Sequence, residues 1–369
     1  MLVAGLEPRN PQKKWIKSKN GMEEKMALPE SVENCTPGRF VVEQIASVDP
    51  GADLARDVLA GLSTRPKQLP PKYFYDEHGS WLYDKICQAP EYYPARTEEA
   101  LLAKKSVEII EATRPDTILE LGSGTSRKTT HLLDACEALQ CHAQYLPLDV
   151  CEEMLLDAGK RLVGSYDWLK VRALVGDYSE GFHNLPKDDG VRLYVFLGGT
   201  LGNLGEVESA RFLSRLRAMM GNNDYLLLGV DRVKDIEVLN AAYNDSQGYT
   251  AAFNRNVLSV INRELEGHFN PDTFVHRAWY NEEKSRIEMH LHSTRAQRVR
   301  IGALNTEIPF DRDESIHTEI SRKFTLASLN RLVAAAGLSM VEHYEPENNY
   351  FSLALLSPAK PPANSRISN

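Results

Sequence analysis

The stretch Ile118-Leu-Glu-Leu-Gly-Ser-Gly-Thr-Ser-Arg-Lys-Thr-Thr130 joins an apolar run to a helical pattern through two closely spaced glycines. Glycine at positions 122 and 124 lets the backbone turn tightly and approach a ligand closely. In open α/β sheets, ligands bind beyond the carboxyl ends of the strands, where this turn would lie. A dinucleotide fingerprint would require glycine at position 127, which is Arg127 here, so a diphosphate ligand is disfavoured. The stretch therefore predicts a strand, a turn for a nucleotide-type ligand, and a helix.

Short apolar runs alternate with helical patterns from this stretch toward the C-terminus. The predicted helices cover residues 128–138, 152–162 and 206–220. The predicted parallel strands cover residues 117–121, 143–148, 171–175, 192–197 and 225–230, and a terminal antiparallel pair covers residues 339–343 and 350–356. These elements predict a seven-stranded, mostly parallel sheet with helices on both faces. This α/β arrangement resembles the Rossmann-like sheet of class I methyltransferases.

The rest of the chain predicts a second, α+β region built from two separated pieces. Residues 39–112 show the patterns of helices and loops, with prolines at 70, 71, 90 and 94. Residues 232–322 show one long helix, roughly 236–264, followed by strands rich in charge. Residues 1–38 are polar and have no helical or strand periodicity, and the end from Ser357 is rich in proline, so both predict flexible tails.

The charge balance argues against large anionic partners. The 369 residues include 43 Lys and Arg against 51 Asp and Glu, a formal net charge of −8, which gives no general attraction to nucleic acid or anionic membranes. No run approaches the roughly 18 apolar residues of a membrane span, and residues 1–25 lack the apolar core of a signal peptide. We therefore expect a cytoplasmic monomer with no nucleic-acid or membrane partner.

Neither the cysteines nor the histidines form a clear metal-binding motif. The five cysteines include no CxxC pair, which is typical of reduced thiols in the cytosol. Cys136, Cys141 and His142 are close in sequence, but no second ligand pair follows at zinc-site spacing. Strand alternation places His290 and His292 on one face, for which a solvated polar face is a simpler explanation than a metal. We predict no metal, and the histidine pair stays open as an alternative.

Acidic residues at the predicted strand ends favour S-adenosylmethionine (SAM) as the ligand. Glu120 precedes the glycine turn, and Asp149 ends the next strand, where a carboxylate could hold a ribose diol. Asp177 and Tyr178 follow the third strand, at a position suited to adenine. From these residues alone, a tight turn without any ligand is the alternative.

Seven motifs, taken together and in order, closely resemble the SAM-dependent histidine Nα-methyltransferases of ergothioneine biosynthesis. They extend over about residues 45–356 and are Leu69-Pro-Pro-Lys-Tyr-Phe-Tyr-Asp-Glu-His-Gly-Ser80, Pro90-Glu-Tyr-Tyr-Pro94 with Arg96, Leu119-Glu-Leu-Gly-Ser-Gly-Thr-Ser126 with Lys128, Phe196-Leu-Gly-Gly-Thr-Leu-Gly-Asn203, Ala241-Ala-Tyr-Asn-Asp245, Thr250-Ala-Ala-Phe-Asn254 and Glu319-Ile-Ser-Arg-Lys-Phe324. The resemblance implies that the α-amino group of L-histidine is methylated three times, which gives the betaine hercynine.

The resemblance also implies the residues of the site. The catalytic residues would be Asn203 and Tyr75. The cofactor would be bound by Tyr75, Gly122, Lys128, Asp149, Asp177 and Tyr178. The substrate would be bound by Tyr92, Gly198, Asn203 and Tyr243, with its imidazole held by Glu319 and Ser321.

Family structure further implies two domains. A SAM-binding domain would comprise residues 97–232 and 323–358, and a substrate-recognition domain would comprise residues 44–96 and 233–322. Residues 1–43 and 359–369 would be flexible extensions. Two departures from the family pattern, Tyr83 in place of a phenylalanine and Ala95 in place of a threonine, are expected to tune substrate affinity.

The chemistry of these residue types suits methylation of an amine. In-line displacement at a sulfonium needs a neutral amine at about 3–3.5 Å, and it needs neither a nucleophilic side chain nor a metal. The amide oxygen of Asn203 could accept a hydrogen bond from that amine, and tyrosine faces attract a growing cation. Glu319 and Ser321 are two residues apart, so on a strand they would share one face and match the donor and acceptor of an imidazole.

Three other functions stay open at this point. A related enzyme could methylate another amine, such as one derived from tryptophan, although an indole has no acceptor nitrogen and would leave the pair at 319 and 321 half used. An NAD-type oxidoreductase is opposed by Arg127. A non-catalytic binding module is the third alternative, and SAM binding would separate it from the enzymes.

Overall fold

The structure, a computed structural model, describes residues 38–45, 50–178, 182, 185–186 and 189–360. Of the predicted flexible tails, residues 1–37 and 361–369 lie outside the described residues. Within the described ranges, no helix has both the length and the apolar composition that crossing a bilayer requires.

Strands and helices alternate along much of the described chain. The strands are β1 (Phe40–Gln44), β2 (Lys67–Gln68), β3 (Thr117–Leu121), β4 (Gln144–Asp149), β5 (Val171–Val175), β6 (Arg192–Phe196), β7 (Tyr225–Asp231), β8 (Phe274–Asn281), β9 (Arg286–Ser293), β10 (Gln297–Ile301), β11 (Thr306–Phe310), β12 (Ser315–Arg322), β13 (Leu338–Tyr344) and β14 (Phe351–Pro358). The helices are α1 (Pro50–Leu62), α2 (Glu77–Gln88), α3 (Tyr93–Thr113), α4 (Thr130–Ala138), α5 (Glu152–Ser165), α6 (Glu206–Met219), α7 (Ile236–Ala242), α8 (Tyr249–Glu264) and α9 (Leu326–Ala335).

The largest sheet of the described chain has the order β1-β5-β4-β3-β6-β7-β14-β13. The pairs from β1 to β7 are parallel, whereas β14 runs antiparallel to both β7 and β13. This arrangement confirms the Rossmann-like class I prediction, including its terminal antiparallel pair. The chain order reverses between β3 and β6, which places a crevice beyond their carboxyl ends, where open α/β sheets bind ligands.

Both faces of this sheet are buried. Successive residues of β3 contribute to different cores, Ile118 to the one that includes helix α3, and Leu119 and Leu121 to the one that includes α6 and α9. Burial on both faces explains why these strands occur in the sequence as continuous apolar runs.

Strand β1 corrects the sequence analysis, which assigned residues 39–112 to helices and loops and residues 1–43 to a flexible extension. Residues 40–44 pair in parallel with β5 and make the sheet eight-stranded rather than seven-stranded in the described chain. The Arg39 guanidinium donates to the carbonyls of Val163 (3.0 Å) and Tyr166 (2.7 Å) at the end of α5. A strand of five residues that depends on such distant partners has no strong local pattern.

A second sheet, with the order β2-β12-β9-β8, carries the charged strands that were predicted in residues 232–322. The long helix predicted for residues 236–264 is wrong, because the chain forms α7 and α8 with a break between them. Gly248 in the break has φ of 75°, and the Asp245 carboxylate accepts hydrogen bonds from the amides of Tyr249 and Thr250. The Asp245 carboxylate therefore binds the first amides of a new helix, α8, and the predicted helix is interrupted at this point.

A separate apolar core joins this second sheet to α1, α2 and α8. It combines side chains from residues 54–95 with side chains from residues 239–316. These segments lie within the two stretches that the sequence analysis assigned to a substrate-recognition domain; the division into domains stays a prediction.

Candidate active site

The glycine turn follows β3 and opens at the carboxyl end of the sheet. Gly122 and Gly124 have φ of 72° and 51°, in the left-handed region that favours glycine. The Gly122 amide donates to the carbonyl of Leu148 (2.8 Å), which ties the turn to β4. The Ser123 hydroxyl is buried at the centre of the turn and has no hydrogen-bond partner in the described chain. This hydroxyl is therefore able to form a hydrogen bond to a ligand bound at the turn.

Asp149, at the end of β4, supports the same turn from the neighbouring strand. Its Oδ2 accepts from the Gly124 amide (2.8 Å) and its Oδ1 accepts from the Cys151 amide (3.0 Å). Burial raises the pKa of this carboxyl group, and the backbone hydrogen bonds oppose that change. A carboxylate has about four lone-pair positions, so two protein donors leave acceptor capacity for a diol.

Glu120 does not reach this crevice in the way the sequence suggested. Its carboxyl group is buried and accepts hydrogen bonds from Thr129 Oγ1 (2.6 Å) and from the Tyr145 hydroxyl. Burial raises the pKa of Glu120 to about 7. The side chain therefore joins β3, β4 and the start of α4 to one another, because its two hydrogen-bond partners come from those neighbouring segments.

Glu98 links the two loops at the end of the sheet, and the sequence analysis missed it. The fully buried carboxylate of Glu98 forms an ion pair with Lys128 and accepts from the Gly198 amide at 2.8 and 2.9 Å. The Gly198 amide is thus already bonded within the protein. A glutamate at helical spacing from Leu101 and Leu102, on the apolar face of α3, was the available signal for a buried charge.

Tyr178 and Asp177 lie near the glycine turn. A Cβ added at Gly122 would stand 3.5 Å from Tyr178 Cε1, and the Tyr178 ring packs edge-on against Phe196 at 5.6 Å between centroids. The Lys72 ammonium lies 3.9 Å from Asp177 Oδ2. The Tyr178 side chain therefore lies against the glycine turn, and the assignment of Asp177 and Tyr178 to the cofactor stays a prediction.

Aromatic side chains from α2, from α8, from the residues just before α2 and α3, and from the break after α7 form a continuous wall. The centroid of Tyr83 lies 5.6 Å from that of Tyr75 and 6.4 Å from that of Tyr92, and Tyr92 lies 6.0 Å from Tyr243. Phe253 packs against Tyr75 at 5.2 Å. Four hydroxyl groups and several ring faces are therefore brought together here.

Tyr75 occupies a special position in this wall. It exposes 41% of its surface, and its ring packs edge-on against Tyr83 and Phe253. Desolvation by these surroundings raises the pKa of Tyr75 well above its ordinary value, and the neighbouring Glu319, Cys87, Tyr178 and Tyr243 add to the effect. Tyr75 therefore connects the predicted cofactor residues to the predicted substrate residues.

Glu319 and Ser321 lie on β12, two residues apart beyond an irregularity in its pairing with β9 between His317 and Glu319. Ser321 accepts a hydrogen bond from the Tyr243 hydroxyl (2.8 Å). The Glu319 side chain has no hydrogen-bond partner in the part of the chain that the structure describes. Desolvation raises the pKa of Glu319 to about 7, although the positive charge of Lys323 opposes that shift.

Lys323 and Asp231 form a buried ion pair beneath these residues, which the sequence analysis did not single out. The Lys323 ammonium lies 2.7 Å from Asp231 Oδ2 and donates to Ser321 and Tyr243, each at 2.9 Å. Lys234 binds the other carboxylate oxygen of Asp231. A lysine beside the apolar Phe324 gave no local signal of burial.

Asn203 ends a short 3₁₀ turn, Thr200–Asn203, that packs against β12. A Cβ added at Gly202 would stand 2.9 Å from the Arg322 carbonyl oxygen, so glycine is needed for this close approach. The half-buried Asn203 side chain forms no hydrogen bond within the described ranges. Its amide is therefore available to a ligand next to the turn and β12.

The histidines of β9 are partly buried rather than simply solvated, which corrects the sequence-based interpretation. His290 stacks between Trp279 and His317, with centroid distances of 4.6 and 4.7 Å. Burial lowers the pKa of His290 to about 4, so its ring is neutral at physiological pH. In the described part of the chain, no group of three or more potential ligands has an arrangement that could hold a metal.

Comparison with known proteins identifies close relatives. A family model described as a histidine-specific, SAM-dependent methyltransferase matches residues 54–358. Histidine N-alpha-methyltransferase of Mycobacterium tuberculosis is 45% identical over 302 residues, which cover 82% of this chain and 94% of the relative. Its counterpart in Mycolicibacterium smegmatis is 46% identical with the same coverage. Ergothioneine biosynthesis protein 1 of Neurospora crassa is 30% identical over 77% of this chain and 32% of its own length.

Proposed function

The chain belongs to the histidine-specific, SAM-dependent methyltransferases, and from this premise we propose that it transfers methyl groups from SAM to the α-amino group of L-histidine. Three transfers would give the trimethylated betaine hercynine, in keeping with the ergothioneine biosynthesis relative. The enzyme would act as a cytoplasmic monomer without a metal.

The observation that carries this proposal is the pairing of Glu319 with Ser321. Both residues lie on β12, Ser321 is held by Tyr243, and Glu319 has no hydrogen-bond partner in the described chain. A neutral imidazole has one N–H donor and one acceptor nitrogen, which a carboxylate and a hydroxyl can satisfy together. The carboxylate is half-buried and desolvated, so a hydrogen-bond donor from a ligand would stabilise its ionised form.

The residues around the glycine turn fit SAM. The carboxylate of Asp149 has remaining acceptor capacity, the Ser123 hydroxyl lacks a partner within the described residues, and the turn lies beside Tyr178. Further cofactor contacts would come from Tyr75, Gly122, Lys128 and Asp177, as the family resemblance implies. SAM, when bound, supplies a methyl group activated by a sulfonium centre. The glycine turn provides backbone close to the ligand without side-chain obstruction.

The chain must then present a neutral amine to that methyl group. The Asn203 amide oxygen would accept a hydrogen bond from the amine and so orient its lone pair. Tyr75, Tyr92 and Tyr243 would surround the amine, and their ring faces would accommodate its growing positive charge. Correct positioning of the two reacting groups accounts for the main catalytic effect, because no covalent enzyme intermediate is required.

The two cores suggest a division of labour that forms part of the proposal. Residues 97–232 and 323–358 would bind SAM, and residues 44–96 and 233–322 would bind histidine. Gly198 would contribute to the substrate site through its carbonyl or Cα surface, since its amide donates to Glu98. Tyr83 would add a hydroxyl to the wall of the pocket.

Mass spectrometry of the reaction products tests the proposal. The purified protein would be incubated with SAM and L-histidine, with L-tryptophan or with no amine. We expect histidine products heavier by one, two and three methyl groups, and only unchanged tryptophan. Methylated tryptophan without methylated histidine would favour the alternative amine substrate. No methylated product together with no SAM binding in calorimetry would refute the enzyme assignment for this chain.

A further inference from the structure

The buried charge of Lys323 has a role that methyl transfer itself does not require. Its side chain is 0% exposed, and its ammonium has three protons and no acceptor. The three acceptors are Asp231 Oδ2 (2.7 Å), the Tyr243 hydroxyl (2.9 Å) and Ser321 Oγ (2.9 Å). Every donor of this lysine is therefore used, and two of them contact the proposed substrate residues.

Asp231 fixes the ammonium in place from the end of β7. Its Oδ2 also accepts from the Tyr93 hydroxyl (2.7 Å), and its Oδ1 is bound by Lys234. Breaking a buried ion pair leaves an uncompensated charge and is strongly unfavourable. Lys323 therefore cannot turn away from Tyr243 and Ser321 at low cost.

These contacts restrict the hydrogen bonds that the Ser321 hydroxyl can form. A serine oxygen has two lone pairs and one proton. Its oxygen accepts from both Lys323 Nζ and the Tyr243 hydroxyl (2.8 Å), which occupies both lone pairs. Only the proton of Ser321 is left for a third partner. Without the ammonium, the same hydroxyl would regain a lone pair and could accept an N–H as readily as it donates.

We propose that Lys323 is a positioning residue that holds Ser321 as an obligate hydrogen-bond donor, and that it thereby selects a substrate ring with an acceptor nitrogen. This inference rests on the proposed function. Glu319, when ionised, can only accept. The two side chains together define one orientation of a neutral imidazole, with its N–H toward Glu319 and its bare nitrogen toward Ser321. A ring with only an N–H, or with no nitrogen, leaves the Ser321 proton unpaired.

The test measures kcat/KM of the full-length enzyme for L-histidine and for L-β-(2-thienyl)alanine, whose five-membered ring has no acceptor nitrogen. The selectivity ratio is kcat/KM for histidine divided by kcat/KM for thienylalanine. Lys323→Met should lower kcat/KM for histidine about tenfold, the effect of one well-placed hydrogen bond, and change that for thienylalanine less than about twofold. Lys234→Met is the matched control, because it removes the other lysine of Asp231, which does not contact Ser321, and it should leave the ratio unchanged.

A double-mutant cycle separates positioning from general stability. Ser321→Ala alone should reduce the ratio by the same factor, and adding Lys323→Met should reduce it no further, since both changes remove one interaction. Equal losses for both substrates, or multiplicative losses in the double variant, would overturn the proposal.

If Lys323→Met shows no cooperative thermal transition, Asp231→Asn loosens the same lysine while it keeps the shape of the side chain. An unchanged ratio in that variant would also overturn the proposal. Failure of the unmodified enzyme to methylate histidine would refute the proposed function together with this inference. Histidine turnover with an unaltered ratio in the variants would refute the role of Lys323 alone.

Discussion

Glu319→Gln removes one negative charge from the proposed imidazole site and nearly keeps the size of the side chain. The carboxylate has no hydrogen-bond partner in the described chain, so the substitution breaks no hydrogen bond within that part of the protein. Desolvation disfavours its ionised form and Lys323 favours it, and the pKa of Glu319 lies at about 7. The variant therefore changes the interaction with a ligand more than the packing of the protein.

The expected size of the effect follows from the type of hydrogen bond. A hydrogen bond to a charged group contributes about 1.5–3 kcal/mol, and one between neutral groups about 0.5–1.5 kcal/mol. The midpoints of these ranges differ by about 1.25 kcal/mol, which corresponds to a factor of about eight to ten. KM for histidine should rise about tenfold, whereas KM for SAM should change less than about twofold.

The assay is steady-state formation of S-adenosylhomocysteine with each substrate varied in turn, followed across pH. In the unmodified enzyme, KM for histidine should fall as the pH rises through about 7, because the carboxylate forms in that range. In the variant, only the titration of free histidine, with an imidazole pKa near about 6.5, should remain. Equal increases in KM for histidine and SAM would refute the assignment of Glu319 to the imidazole.

Three further predictions concern the cofactor, the amine and stability. Asp149→Ala should weaken SAM and S-adenosylhomocysteine binding alike, by about tenfold or more for a lost charged hydrogen bond, in calorimetric titrations; unchanged affinity would exclude the ribose role. Asn203→Ala should lower kcat by at least about tenfold with little change in SAM affinity, as measured in single-turnover experiments, and an unaltered rate would remove Asn203 from the mechanism. Glu319→Gln should raise the Tm of the ligand-free protein at about pH 8 but not at about pH 4. The pKa of Glu319 is higher in the folded state than in the unfolded chain, so the ionised carboxylate destabilises the fold increasingly as the pH rises from the unfolded pKa to the folded pKa. A Tm difference that is the same at both pH values would contradict the desolvation of this carboxyl group.

The central sheet was predictable because its strands carry their signal locally. Strands buried on both faces are continuous apolar runs, and the turn after Leu121 requires glycines with positive φ. Strand β1 lacked such a signal, because Arg39 and Phe40 are stabilised by α5 and β5, more than a hundred residues away in the chain. The break between α7 and α8 depends on Asp245 and Gly248, whose capping role is weak in sequence against a strong apolar pattern.

The candidate site was predictable only in part from its residues. Asp149 and the glycine turn could be predicted as ligand-binding residues because they follow predicted strands. Glu319 and Ser321 could be predicted only through the family resemblance. Glu98 and Lys323 were missed because each is paired with a residue from a distant segment, Lys128 and Asp231 respectively. A charge in an apolar environment is informative, but its partner becomes visible only in the folded chain.

A crystal structure of the enzyme with S-adenosylhomocysteine and L-histidine would examine the central assignment most directly. The imidazole should lie on β12 with one nitrogen about 2.7–3.2 Å from the Glu319 carboxylate and the other at the same distance from Ser321 Oγ, and with its amine next to Asn203. Histidine bound with its ring away from both β12 side chains, or with its amine remote from the glycine turn, would contradict the account.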